Sequence, residues 1–411
     1  MNVKKIAVIL AMALCFSSLS AKSKEPYRAS VQQELKADKY NRQLGYQIIN
    51  GGETVAFVFN PDTWKIKKPK RVFVEGSFNG WSKKNSNWEL AKLKDSLWVL
   101  ECPADDIKIP GNSGFPEFKF MIIADVEYIE TVCGKELTRY KTQTFEPKAV
   151  SHIAGFQMDG NNLILFPEDD PAEPAANAAL LKKAKKLKEF NLENPEERAQ
   201  LANFRRVPGT TQLFRGYHPY KASRLELDTE KPRLAAVSQL IKENGIQSII
   251  TLSGDETVDP SKETISVYIG DIRRKGNQFF TDTKYNTVYY QSSGRDFGNM
   301  IGDIVRFINT HPAPYYVHCR LGSDRTGVVC AVLAALCGAS WNDIAADYQK
   351  TNETGIQEVR DHRLLQYSFE QMLGKPLSEV QDLQQEMKQF FIERRFFTKE
   401  DFDALNQNLK K

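Results

Sequence analysis

Two apolar runs set the frame of the C-terminal half of this chain. Pro314-Tyr315-Tyr316-Val317 has the length and residue types of a short buried strand, and residues 328–336 those of a buried helix. Between them lies His318-Cys319-Arg320-Leu321-Gly322-Ser323-Asp324-Arg325-Thr326-Gly327. A strand that passes directly into a helix brings unpaired N–H groups and the positive end of the helix dipole to the connecting loop. A loop of that kind binds an anion, and a phosphate best of all.

Each position has a chemical part. The same field favours a thiolate, which makes Cys319 a nucleophile able to attack phosphorus. Arg325 offers a planar fork of donors that grips two phosphate oxygens at once, which lysine does not. Arg320, Leu321, Gly322, Ser323, Asp324 and Thr326 complete the phosphate-binding loop, with Gly322 and Gly327 permitting close backbone approach. The Thr326 hydroxyl suits a hydrogen bond to the sulfur that eases its departure. His318 orders the loop from behind. Arg320 either adds charge at the pocket wall or is a solvated surface arginine.

The His-Cys-x5-Arg-Thr string resembles the protein tyrosine and dual-specificity phosphatase superfamily, over roughly residues 205–375. Leu213-Phe214-Arg215-Gly216-Tyr217-His218-Pro219, followed by Ile246-Gln247-Ser248-Ile249-Ile250-Thr251-Leu252, is similar to the opening unit of its compact bacterial dual-specificity-like members. The resemblance implies an α/β domain with a central, mostly parallel sheet flanked by helices. It also implies a phosphocysteine intermediate, no cofactor and no metal, and a general acid from a loop upstream of the nucleophile.

Thr287-Val288-Tyr289-Tyr290-Gln291 reads as a strand, and the polar loop after it carries Asp296. Asp296 is the assigned acid, although 319 − 296 = 23 residues is a shorter spacing than the family usually shows. Asp324 is its rival, because lipid phosphatases with a similar Asp-Arg-Thr ending use such a residue to assist proton transfer. Asp296 fits equally well as an N-cap for the next helix. Beyond the loop helix, Arg360-Asp361-His362-Arg363 either rims the site or is helix-surface charge.

The N-terminal half reads differently. Short apolar or β-branched runs at 46–50, 54–60, 71–76, 97–102, 117–123 and 162–166, split by turn residues, point to an antiparallel β-sandwich. Arg71-Val72-Phe73-Val74-Glu75-Gly76-Ser77-Phe78-Asn79-Gly80-Trp81-Ser82 resembles the early-set, immunoglobulin-like modules of glycogen- and starch-acting proteins, over roughly residues 45–167. By that resemblance Trp81 is an aromatic platform for a sugar ring, Lys119 and Asn162 (or Asn161) are polar contacts, and Tyr128 is a second platform. Glucan is then a partner of this domain. The alternative is a domain that only supports the catalytic one.

A polar linker and an exposed helix occupy 168–204, and 376–411 reads as a helical tail of two amphipathic helices whose Phe390-Phe391 and Phe396-Phe397 pack on the body. At the other end, a basic start, an apolar run at 6–16 too short to span a bilayer, and small residues up to Ala21 make 1–21 an export signal. That places the protein in the periplasm or outside the cell. Cys15 raises lipoprotein attachment, which bulky Leu14 disfavours. No later run is apolar for long enough to cross a membrane.

A net charge of +4 over 411 residues gives no footprint for nucleic acid. Cys330 and Cys337 fit a core helix, whereas Cys102 and Cys133 either pair or stay two thiols. The five histidines are scattered, with no metal-ligand spacing. The expected partner is a phosphorylated substrate: phosphoprotein, phosphoglycan, inositol phosphate or a small phosphoester. The loop reads only the phosphoryl group and does not choose among them. A non-catalytic envelope protein that captures phosphorylated glycans is the reading from another class.

Overall fold

A computed structural model describes residues 39–42, 45–93, 96–133, 135–148, 157–158, 160–254 and 264–411. Residues 1–21, read above as an export signal, and Cys15 among them lie outside the described residues. The chain divides into two compact units. One takes in the chain up to Glu75, with Ser82–Ala104 and Phe120–Pro147; the other takes in Gly76–Trp81, Asp105–Lys119 and Lys148–Lys411.

The first unit is β-rich. Its elements are β1 (Tyr46–Ile49), β2 (Thr54–Phe59), the one-turn helix α1 (Pro61–Trp64), β3 (Pro69–Gly76) up to Glu75, β4 (Ala91–Lys92), β5 (Trp98–Pro103), β6 (Glu117–Val132) from Phe120 onward, and β7 (Lys135–Phe145). An antiparallel sheet runs in the order β1-β2-β5-β4. Val55 to Phe59 are buried without interruption, as expected of a strand covered on both faces. Phe59, Trp64 and Phe120 close the core with ring centroids 5.1–5.4 Å apart.

Strand β6 runs well past residue 123, where the apolar pattern ends, because β7 pairs with it from Ile122↔Phe145 to Val132↔Lys135. That hairpin rests on backbone hydrogen bonds with both faces largely exposed, so hydrophobic alternation does not announce it. Cys102 is buried in β5, Cys133 is exposed beyond β6, and no disulfide joins them.

The second unit holds β8 (Gln157–Met158), β9 (Asn161–Leu163), α2 (Ala172–Lys182), α3 (Pro195–Leu201), β10 (Arg205–Arg206), β11 (Leu213–Gly216), α4 (Glu230–Glu243), β12 (Ser248–Thr251), α5 (Val267–Arg274), β13 (Gln278–Phe280), α6 (Tyr285–Tyr289), α7 (Arg295–Thr310), β14 (Tyr315–His318), α8 (Asp324–Leu336), α9 (Trp341–Gln349), α10 (His362–Leu373), α11 (Leu383–Glu393) and α12 (Lys399–Lys410). Its five-stranded sheet is mixed, in the order β10-β11-β14-β12-β13. Only the β10–β11 pairing in it is antiparallel. β14 therefore sits centrally, with the carboxyl ends of β11, β14 and β12 level at Gly216, His318 and Thr251. Chain order reverses beside β14, the place where open α/β sheets form their binding crevice.

Helix α8 is buried along nearly its whole length, which is why its sequence is apolar on every side. Residues 287–291 are not a strand. Tyr285–Tyr289 form the short helix α6, in which Tyr285 and Tyr289 meet at i,i+4 with ring centroids 4.7 Å apart. Their tertiary contacts override the β preference of Thr, Val and Tyr.

The C-terminal helices are built into the core through Phe396. Gly298 and Gly302 on α7 form the groove that holds it: a Cβ at Gly298 would stand 2.2 Å from the Phe396 ring, and one at Gly302 2.3 Å from its carbonyl oxygen. Phe396→Ala is expected to cost about 3–5 kcal/mol of stability, the usual price of an emptied aromatic site, read as a lowered urea midpoint.

Candidate active site

The loop after β14 is shaped by what holds its carbonyls. The Cys319 carbonyl accepts from His318 Nδ1 at 3.1 Å, and that of Arg320 from the His218 N–H at 3.1 Å. The Leu321 carbonyl accepts from Asn203 Nδ2 at 3.0 Å, and that of Gly322 from Arg215 Nη2 at 2.7 Å. In a trans peptide the next residue's N–H points opposite to the carbonyl. Four carbonyls tied back in succession therefore turn the N–H groups of Arg320, Leu321, Gly322 and Ser323 the other way, into one concavity suited to an anion.

The backing residues are themselves fixed. Arg215 is fully buried and its Nη1 donates to Asp347 Oδ2 at 2.7 Å. Asp347 also accepts from Arg205 Nε at 2.5 Å. Burial works against ionisation of Asp347, but these two arginines outweigh it and hold the carboxyl below the usual range. With Nδ1 donating, His318 Nε2 accepts from the Thr251 hydroxyl at 3.0 Å. The Nδ1 of His218 accepts from the N–H of Tyr220 and Lys221.

Cys319 stands at the end of β14, 3% exposed, and α8 begins five residues later at Asp324. Arg325, in the first turn of α8, donates through Nη1 to the carbonyls of Leu252 (3.2 Å) and Thr283 (3.5 Å), which follow β12 and β13. Ser323 Oγ and Thr326 Oγ1 are buried and make no hydrogen bond among the described residues. Two further thiols lie in this core. Burial pushes Cys330 and Cys337 up to about 12, which leaves them inert beside Cys319.

The aspartates separate by environment. Asp296 is exposed in the first turn of α7, where a carboxylate complements the helix dipole. Asp324 is largely buried, and Arg360 takes both its oxygens, Nε on Oδ1 and Nη2 on Oδ2 at 2.8 Å. The Tyr289 hydroxyl adds a bond to Oδ1 at 3.0 Å. Burial opposes ionisation of Asp324, yet Arg360, Tyr289 and Arg325 outweigh it and hold its carboxyl below the usual range. Arg360 is therefore neither a rim residue nor helix-surface charge; it is 7% exposed. Asp282 is a residue that sequence reasoning passed over. It adjoins Thr283, whose carbonyl Arg325 holds, and bridges back to Ser253. Its signal was the longer interval of 319 − 282 = 37 residues.

The glycan candidates are not presented alike. Asn162 is 4% exposed and donates to the Phe118 carbonyl, while Asn161 donates to buried Glu117 at 2.7 Å. Neither amide is offered to a sugar, because both side chains are buried. Trp81 has a left-handed backbone (φ 57°) and is half-buried. Lys119 is half-buried, and Tyr128 in the first unit is 46% exposed.

The structure thus brings together a buried thiol at a strand end, an arginine on the following helix and a loop whose carbonyls are tied back. Residues 190–411 match the model of the tyrosine phosphatase family, and the chain belongs to that family. A search of curated proteins returned no match. The protein is thus a phosphatase of the tyrosine type whose substrate carries phosphate. Among the described residues, no helix is long and apolar enough to cross a membrane, and no group of three or more His, Cys, Asp or Glu is placed to hold a metal.

Proposed function

We propose that this protein is an exported cysteine-dependent phosphomonoesterase working through a phosphocysteine. The observation that carries the reading is the run of four tied-back carbonyls around Cys319, which sets the loop N–H groups for a phosphoryl group before substrate arrives. The Cys319 sulfur forms a bond to phosphorus as the ester P–O bond breaks, and the leaving oxygen takes a proton from an aspartate. That carboxylate then takes a proton from water, whose oxygen attacks phosphorus while the S–P electrons return to sulfur. Arg325 and the loop N–H groups stabilise the charge on the phosphoryl oxygens in both steps.

The sequence assigns the proton to Asp296. The fold favours Asp282, which follows β13 at the same sheet end as Cys319 and adjoins the segment gripped by Arg325. Asp324, doubly bound by Arg360, is a poor donor. Asp282→Asn is expected to lower kcat on phenyl phosphate by about 100-fold, and much less on an activated nitrophenyl ester that leaves without a proton. Asp296→Asn should stay within about threefold of the wild type on both. The reverse pattern would return the role to Asp296.

For substrate, family membership points to an aryl phosphate of the phosphotyrosine type. Inward Asn161 and Asn162 speak against a glucan site built on them. Phosphate release from an aryl phosphate, a phosphotyrosine peptide, inositol hexakisphosphate and phosphorylated amylopectin tests both points. The peptide is expected to lead, and amylopectin in first place would restore the phosphoglycan reading.

A further inference from the structure

The catalytic loop carries a liability: Asp324 places a carboxylate directly beside Arg325. At about 4 Å separation such a charge is worth several kcal/mol at a partly buried site, and it would oppose an incoming phosphate. The structure deals with it through a chain of alternating charges. Arg224 pairs with Glu358, Glu358 Oε2 with Arg360 Nη2 at 2.7 Å, and Arg360 with both oxygens of Asp324.

Arg360 is held to this task from several directions. Its N–H donates to Asn352 Oδ1 at 2.8 Å, its carbonyl accepts from Asn352 Nδ2 at 3.0 Å, and Nη1 donates to the Val359 carbonyl at 2.7 Å. Two carboxylates and two guanidiniums close as a neutral set. Arg325 and the start of α8 are left uncompensated, facing the anion.

We propose that Arg360 is a positioning residue of the catalytic site: it neutralises and orients Asp324 so that the loop's positive field is kept for the phosphoryl group. The inference rests on the phosphatase reading above. The groups that face Asp324 are Arg325 on its own helix, Tyr285 and Tyr289 on α6, Tyr348 on α9, and Arg360 with Glu358 on the segment before α10, and buried Glu117 of β6 faces Arg360 as well. Arg360 is the cation among them that comes from outside the loop.

The test is steady-state hydrolysis of an aryl phosphate from pH 5 to 8 by the wild type, Arg360→Met and Arg360→Lys. Without Arg360, burial raises the Asp324 carboxyl, so it is charged at high pH and neutral at low pH. Arg360→Met is expected to lose at least about tenfold in kcat/KM at pH 8, mainly through KM, with the loss shrinking as pH falls. Arg360→Lys keeps a cation against Asp324 without the two-pronged grip, and is expected to recover most of that loss and to show a ratio to the wild type that changes less with pH.

If Arg360→Met does not fold, as a melting curve would show, Arg360→Lys decides alone. A folded Arg360→Lys within about tenfold of the wild type supports the inference, and a larger loss overturns it by showing that neutralising Asp324 is not what the guanidinium supplies. A folded Arg360→Met with wild-type kinetics at every pH also overturns it. Absence of phosphate release by the wild type would sink the phosphatase reading instead, so the two failures are distinct.

Discussion

Cys319→Ser is expected to remove phosphate release altogether, a fall of roughly four orders of magnitude or more in kcat, because a serine hydroxyl here has no base to activate it. The substitution exchanges sulfur for oxygen and touches none of the ties that shape the loop. His318, His218, Asn203 and Arg215 hold backbone carbonyls, not the Cys319 side chain. Anion binding should therefore survive. Tungstate, a phosphate-like oxyanion, is expected to bind the variant within about tenfold of the wild type by calorimetry, since Arg325 and the N–H groups remain. Chemistry lost with binding kept separates a nucleophile from a structural cysteine. A variant that still turns over would remove the phosphocysteine from the mechanism. A wild type that binds tungstate but releases no phosphate from any ester would mark a protein that captures phosphorylated ligands.

The loop itself was legible because its residue types are dictated by local chemistry: thiol, arginine, glycine and helix start lie within ten positions of one another. The residues that shape it were not. Asn203, Arg215 and His218 precede Cys319 by more than a hundred positions and reach it only because β11 pairs with β14 in parallel. Arg215 did leave a trace, as a charge inside the apolar run Leu213-Phe214-Arg215-Gly216, which a buried strand tolerates only with a partner. Arg360 read as site rim or surface charge because its neighbours Asp361, His362 and Arg363 are polar; the Asp324 contact is what identifies it. The segment at 287–291 misled for a related reason. Tyr289 is placed by Asp324 and Tyr348, contacts to which a local β preference is blind. In the β-rich half, Asn162 has the residue type of a sugar contact, but the β6–β9 register decides which way it faces.

The same dependence on the neighbouring strand makes Gly322 the most sensitive backbone position of the site. Its φ of +75° lies in the left-handed region, where a side chain is strained by about 1 kcal/mol. Space is the larger obstacle. A Cβ there would stand 2.3 Å from the Gly216 carbonyl oxygen and 2.6 Å from its carbon, backbone atoms at the end of β11. β11 cannot yield without breaking its register with β14, in which Gly216 pairs with His318. Relief would come instead from the loop, by rotating the 322–323 peptide and freeing the Gly322 carbonyl from Arg215. That rotation removes one N–H from the phosphate cradle and leaves a buried guanidinium short of an acceptor. Gly322→Ala is therefore expected to lower kcat/KM by about 100-fold or more and to cost about 2–4 kcal/mol in urea denaturation. Gly276→Ala supplies the control. Its φ is +76°, but a Cβ there meets nothing within 4 Å. It should show about 1 kcal/mol of strain and full activity. If Gly322→Ala behaves like Gly276→Ala, the tied-back carbonyl is not what prepares the loop, and the field of α8 with Arg325 must carry phosphate binding by itself.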